Sequence, residues 1–229
     1  MNEKGLRMLV IDDEQQIRKL LNVSLSAHGY QVHAAVTGQE GINWAAVHKP
    51  DLIIVDLGLP DMDGKNVIKK IREWSQVPII ILTARDQEQE KIEALDAGAD
   101  DYVTKPFGMG ELMARMRVSL RRAATAENDP VLSCGGLVID LVQRRVTVEG
   151  REIKLTPTEY EIIKIMAQHA GRVLTHKQLL KAVWGNTYNE DTHYIRVYVG
   201  QLRRKIEQDP ARPQYIITES GVGYRLMGQ

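Results

Sequence analysis

The sequence predicts an α/β fold: a doubly wound parallel sheet of five βα units, followed by a smaller α+β domain of three helices and a closing hairpin. Three observations carry this. Short apolar runs that stop at polar side chains alternate with stretches of helical period as far as Arg122. The alternation then ends, and Ala123-Ala-Thr-Ala-Glu-Asn-Asp-Pro130 has no apolar period at all. Beyond it come brief β segments, three helices with start and stop signals, and two last strands. The expected domains are therefore 1–122 and 131–229, joined by a linker over 123–130.

In chain order, Arg7-Met-Leu-Val-Ile11 is a strand that ends at Asp12-Asp13. Ile17, Leu20, Leu21 and Leu25 recur at helical spacing up to Gly29. Residues 31–36 and 39–48 give a second strand and helix. Leu52-Ile-Ile-Val55 is unbroken by polar residues, as in a parallel strand buried on both faces, and stops at Asp56. Turn chemistry follows in Gly58-Leu-Pro-Asp-Met-Asp-Gly64, then a helix carrying Val67, Ile68 and Ile71. Pro78-Ile-Ile-Ile-Leu82 is the fourth strand, reaching Thr83-Ala84, with a helix over 86–97. Tyr102-Val103 is the fifth, reaching Thr104-Lys105-Pro106, with a helix over 109–122.

Parallel strands place their carboxyl ends on one edge, where open α/β sheets bind ligands. That edge brings Asp12, Asp13, Asp56, Thr83 and Lys105 together. Carboxylates so close raise one another's pKa unless a cation neutralises them. A few hard oxygen donors with room for water suit Mg²⁺. A lysine and a hydroxyl opposite them would meet the oxygens of a phosphoryl group transferred to a carboxylate. Each residue also has an ordinary alternative. Asp12 and Asp13 could cap the first helix, Thr83 could cap the helix after it, and Lys105 could be a solvated loop charge.

In the second half, 131–133, Leu137-Val-Ile139, Arg145-Val-Thr-Val148 and Ile153-Lys-Leu155 suggest strands, with a Glu149-Gly150 turn between the last two. Thr156-Pro-Thr-Glu159 opens a helix through a capping box and ends at Gly171. Thr175 caps a second helix running to Trp184-Gly185. A third runs from about Asp191 or Thr192 to Glu207, with Ile195, Val199, Leu202 and Ile206 on its apolar side. Its other side carries His193, Tyr194, Arg196, Tyr198, Gln201, Arg203, Arg204 and Lys205, with no acid between Thr192 and Ile206. Strands at 214–218 and 224–227 flank a wing, Glu219-Ser-Gly-Val-Gly223. A basic, polar third helix suits the major groove; a solvated helix face is the other reading. Phosphate contacts are expected from His193, Tyr194, Arg196 and Tyr198. Gln201 and Arg204 are placed for base edges, and Arg203 for either.

Composition limits the function. The chain is 43% hydrophobic and 26% charged, with formally zero net charge, as in a globular protein with real cores. Its apolar runs are too short for a bilayer and no signal-peptide pattern opens it, so no membrane role is expected. One cysteine, Cys134, excludes an internal disulfide and fits a reducing cytoplasm. Neutral overall charge leaves room for a local basic patch and an anionic partner.

Ile11-Asp-Asp-Glu14, Asp56-Leu-Gly-Leu-Pro-Asp-Met-Asp-Gly64, Leu82-Thr-Ala-Arg85, Ala97-Gly-Ala-Asp-Asp-Tyr102 and Lys105-Pro-Phe107 resemble the receiver domain of bacterial two-component response regulators. Leu155-Thr-Pro-Thr-Glu-Tyr160, Val173-Leu-Thr175, Val199-Gly-Gln-Leu-Arg-Arg-Lys205 and Gly221-Val-Gly-Tyr-Arg225 resemble the winged-helix effector of the OmpR/PhoB class. Asp56-Leu-Gly-Leu-Pro-Asp61, Gln208-Asp-Pro-Ala-Arg-Pro213 and Thr218-Glu-Ser-Gly-Val-Gly-Tyr-Arg225 carry a narrower likeness to regulators of potassium-uptake operons.

The resemblance implies that Asp56 accepts a phosphoryl group from a sensor histidine kinase. It implies Mg²⁺ held by Asp13, Asp56 and the Gly58 carbonyl, with Asp12 acting through water. Thr83 and Lys105 would contact the phosphoryl oxygens, and Tyr102 would switch rotamer. It also implies a homodimer when phosphorylated, through Lys91, Ile92, Leu95, Asp100, Asp101, Glu111, Ala114, Arg115 and Arg122, with Lys91–Glu111 and Asp101–Arg115 crossing the interface. A solvated helix face with intrahelical pairs is the ordinary reading of those residues. Promoter DNA and RNA polymerase are the further partners expected. Two departures from the class stand out: Ser220 where the wing commonly has arginine, and Gly200-Gln201 where a more basic pair is common. A Mg²⁺-dependent phosphohydrolase with the second domain as a lid is the rival reading. Against it, Gly58 stands where a leaving-group acid would be needed.

Overall fold

The structure is a computed structural model that describes residues 5–84, 88–125, 130–185 and 193–227. The chain divides into two compact units, with the boundary between Ala123 and Ala124.

The first unit follows a βα alternation. Its strands are β1 (Arg7–Ile11), β2 (Gln31–Ala35), β3 (Leu52–Asp56), β4 (Ile79–Ala84) and β5 (Asp101–Lys105). The helices are α1 (Gln15–Ala27), α2 (Gly38–His48), α3 (Gly64–Arg72), α4 (Glu88–Asp96) and α5 (Met109–Thr125). The strands form one parallel sheet in the order β2-β1-β3-β4-β5. β3 is central, and all five of its residues are buried, which is why it reads as an unbroken apolar run. On one face Met8, Val10, Leu52, Ile54, Ile80, Leu82 and Val103 pack with Leu21, Leu25, Leu112 and Met116 of α1 and α5.

Local chemistry explains the turns that shape this edge. Thr37 caps α2 by accepting from the Glu40 amide, and Asp63 caps α3 by accepting from the Lys65 amide. A side chain at Gly64 would run into the Asp56 carbonyl and the Leu57 Cα, so only glycine lets α3 start this close to the end of β3. Leu20, expected on the apolar side of α1, is 44% exposed; the buried stripe is Leu21 and Leu25. α5 continues to Thr125, into the segment expected as linker, because Ala123 and Ala124 favour helix. The rest of that segment, 126–129, lies outside the described residues.

The second unit opens with an antiparallel sheet of β6 (Val131–Cys134), β7 (Leu137–Asp140), β8 (Arg145–Val148) and β9 (Arg151–Glu152), in that order. Then come α6 (Pro157–Gln168), β10 (Val173–Thr175), α7 (His176–Trp184), α8 (His193–Ile206), β11 (Ile216–Glu219) and β12 (Gly223–Leu226). β10 has no strand signature in the sequence; it pairs with β12, which pairs with β11. β9 lies at 151–152 and not 153–155. Glu149 and Gly150 both have positive φ, the two-residue turn that forces Val148 opposite Arg151. Thr156 and Thr175 each close a capping box, with Glu159 and Gln178. β11 starts two residues late because the Glu207 carboxylate accepts the Gln214, Tyr215 and Ile216 amides, at 2.7, 2.9 and 2.8 Å. Leu179, Ile195, Val199, Leu202, Ile216 and Leu226 lie at the centre of the core, with Ile162, Ile163 and Met166 of α6.

Candidate functional site: an acidic pocket and a basic helix face

The parallel sheet does bring the strand-end residues to one edge. Oxygen atoms of Asp12, Asp13 and Asp56 lie within 4.8 Å of one another. The Lys105 ammonium sits 3.1 Å from Asp12, 3.2 Å from Asp56 and 2.9 Å from Glu14. Thr83 is buried in β4, one strand over, and lines the same cavity as Asp56, Leu57, Gly58 and Lys105. It lies inside a strand, five residues before α4, so it does not cap that helix. Asp12 accepts from the Glu14 amide at 2.8 Å, whereas the N-cap of α1 is Glu14.

The charges define the chemistry. Burial raises the pKa of Asp12, and the nearby Lys105 opposes this without cancelling it. Burial alone would lower the Lys105 pKa, but its bond to Glu14 and the charges of Asp56 and Asp12 together raise it. One lysine thus faces several carboxylates. A cluster of hard oxygen donors with this excess of negative charge fits Mg²⁺, so the donor set passes the chemical test for that ion.

Tyr102, on β5, is half-buried between two cations: the Lys91 ammonium lies 5.2 Å from its ring centroid and the Arg115 guanidinium 5.9 Å. The neighbouring face differs in part from expectation. Leu95 is fully buried, and Asp100 is 5% exposed. Asp100 accepts from Arg72 at 2.7 Å and from the Ile79 amide at 2.9 Å, so both residues serve the inside of the unit. Asp101 and Arg115 pair within one chain at 3.0 Å, and Arg115 also binds Glu111 at 2.9 Å. Ile92 is half-buried and Ala114 exposed; the Arg122 side chain lies outside the described residues.

On α8 the expected polar face splits. His193, Tyr194, Arg196, Gln201 and Arg204 are exposed, and Ser220 is exposed in the wing turn. Tyr198 is half-buried against Trp184, with ring centroids 5.7 Å apart. Arg203 is half-buried and already bonded within the unit: it donates to the Ile216 carbonyl at 3.0 and 2.6 Å and to the Thr218 hydroxyl at 2.7 Å. Lys205 is likewise bound to Glu159 of α6, at 2.6 Å. Val197, which no motif in the sequence singles out, is 43% exposed on the same stripe as Gln201 and Arg204. The start of this helix at Asp191 or Thr192 lies outside the described residues. Among the described residues no helix is long and apolar enough to cross a membrane.

Comparison with known proteins gives a family for each half of the chain. The family described as "Response regulator receiver domain" matches residues 8–117, and "Transcriptional regulatory protein, C terminal" matches 150–226. The chain is 51% identical to the KDP operon transcriptional regulatory protein KdpE of Escherichia coli K12, over 96% of this chain and 98% of that one. It is 49% identical to the transcriptional regulatory protein KdpE of Mycobacterium tuberculosis, over the same shares. Among solved structures, the response regulator DrrB, a Thermotoga maritima OmpR/PhoB homolog, matches with a TM-score of 0.50 and 32% identity, covering 98% of this chain and 100% of that chain. A transcriptional-regulator match over the second half leaves no support for a lid, and the phosphohydrolase reading is set aside.

Proposed function

The chain belongs to the two-component response regulators of the OmpR/PhoB winged-helix class, and from that premise we propose that Asp56 is its phosphoacceptor and that phosphorylation pairs two receivers to seat two effectors on tandem half-sites. The observation that carries this reading is the Lys105 ammonium held 3.2 Å from Asp56 beside a second and third carboxylate.

An Asp56 carboxylate oxygen attacks the phosphorus of a phosphohistidine on the sensor kinase. The new P–O bond forms as the P–N bond breaks, and the imidazole leaves with its electron pair. Lys105, already poised between Asp12 and Asp56, transfers its contacts to the phosphoryl oxygens, and the Thr83 hydroxyl donates to another. Asp13, Asp56 and the Gly58 carbonyl would hold Mg²⁺, with Asp12 through water, and the ion supplies charge neutralisation for the transfer.

Occupation of Thr83 and Lys105 then favours a minor receiver conformation in which Tyr102 moves, by no more than the differential interaction of the two states allows. Lys91, Ile92, Asp101, Glu111, Ala114, Arg115 and Arg122 form the pairing face. For Asp101–Arg115 this requires exchange of a pair made within the chain for one made across it. Pairing raises the local concentration of a second effector at the adjacent half-site. Arg196, His193, Tyr194 and Tyr198 meet phosphates, Gln201 and Arg204 read base edges, and RNA polymerase is recruited. Likeness to the KdpE proteins supports a promoter for potassium uptake as the target. Footprinting on genomic DNA with and without acetyl phosphate, wild type beside Asp56→Ala, tests this. Protection that grows with the phosphodonor only in wild type is expected; equal footprints in all four lanes contradict it.

A further inference from the structure

Among the described residues, seven besides Asp56 line the phosphoacceptor cavity, which measures about 280 Å³; three of them, Glu14, Asp63 and Glu90, are acidic. Two of those acids have a cation. Glu14 binds Lys105 at 2.9 Å, and Asp63 lies 3.2 Å from Lys65. Lys65 is further bound to Glu93 at 2.7 Å. Glu90, half-buried in the first turn of α4, has no ion pair or side-chain hydrogen bond among the described residues. Among the described residues no cation pairs with it, and the Lys105 and Lys65 ammonium groups are already bound to other carboxylates.

We propose that Glu90 is a specificity-determining residue for the phosphodonor, setting a negative potential at the cavity that disfavours small multiply charged donors. This rests on the reading of Asp56 as phosphoacceptor. A free acyl phosphate must bring its whole charge past Glu90 before Asp56 can form the new P–O bond and expel the acetate. A phosphohistidine arrives on a protein surface that supplies its own cations and a leaving group without negative charge. Desolvation within the cavity strengthens the repulsion, and salt weakens it.

The test follows phosphorylation rates on phosphate-affinity gels for wild type, Glu90→Gln, Glu90→Asp and Glu88→Gln, the last an exposed acid of the same helix outside the cavity lining. Acetyl phosphate is compared with phosphoramidate, which carries less negative charge, at low and high ionic strength. Glu90→Gln is expected to gain about three- to tenfold with acetyl phosphate at low salt, from removal of one charge at short range. The gain should be smaller with phosphoramidate and shrink at high salt. Glu90→Asp and Glu88→Gln should stay near wild type. Equal gains with both donors, no gain, or the same gain from Glu88→Gln would overturn the proposal. Uptake of phosphate by Asp56→Ala at the wild-type rate, from either donor, would instead overturn the reading of Asp56.

Discussion

The acidic pocket and the α8 face use charged side chains in opposite ways. In the pocket, Asp12, Asp56 and Lys105 come from the ends of β1, β3 and β5, and the parallel sheet alone makes them meet. On α8, one helix offers four basic residues, and the fold has already claimed two: Arg203 for β11 and Lys205 for Glu159. Arg196 and Arg204 remain exposed. A site built from strand ends is assembled by topology. A helix face is what packing leaves over, so its composition overstates what a ligand can reach.

The largest effect expected from this contrast is at Asp56. Asp56→Asn should reduce phosphoryl incorporation from acetyl phosphate below detection in a mass measurement, while unphosphorylated DNA binding stays unchanged. A loss of basal DNA binding would mean that the two regions are not separable in this way. Next comes the pair Arg203 and Arg204. Arg203→Ala strands the Ile216 carbonyl and should cost the effector about 1–3 kcal/mol in a denaturant titration. Arg204→Ala should melt like wild type and lose DNA affinity. Equal destabilisation by both would erase the distinction between structural and ligand-facing arginines.

Glu159→Ala removes a capping box and the anchor of Lys205, for about 1–2 kcal/mol at neutral pH. Burial alone would raise the Glu159 pKa, but the Lys205 bond and the Thr156 amide hold it below the ordinary value of 4.5. A depressed carboxylate stabilises the fold above its unfolded pKa, and this contribution is lost as pH falls through the folded one. The variant and wild type should therefore converge in melting temperature below about pH 4.5; a gap that persists there would remove the ionic part of the explanation. The smallest effect is expected from Arg196→Ala, which should lower the salt slope of binding by about 0.9 without changing sequence preference. Gln201→Ala should relax preference at one base pair and leave the slope alone, as measured by anisotropy on a substituted set of duplexes.

Most of the receiver was legible because strand ends, turn glycines and caps are local signals with one geometric outcome. Leu52-Ile-Ile-Val55 followed by Asp56 needed only the parallel arrangement to become a pocket. What escaped depends on packing between elements. Asp100 reads as a surface acid until Arg72, 28 residues earlier, is seen to hold it. Glu90 carries no sign in the sequence that its helix turns it toward Asp56. Arg203 looks like its neighbour Arg204, and only the position of β11 tells them apart. The short strand β10 was hidden inside a cap signature, since its three residues gain strand geometry from pairing with β12.

The central claim is that charge added at Asp56 makes two effectors bind together. Anisotropy titrations of a duplex with two half-sites and a duplex with one, each with and without beryllofluoride and Mg²⁺, test it directly. The account predicts a gain in affinity for the two-site duplex alone, absent in Asp56→Ala. The same gain on the single-site duplex, or none on either, would contradict it.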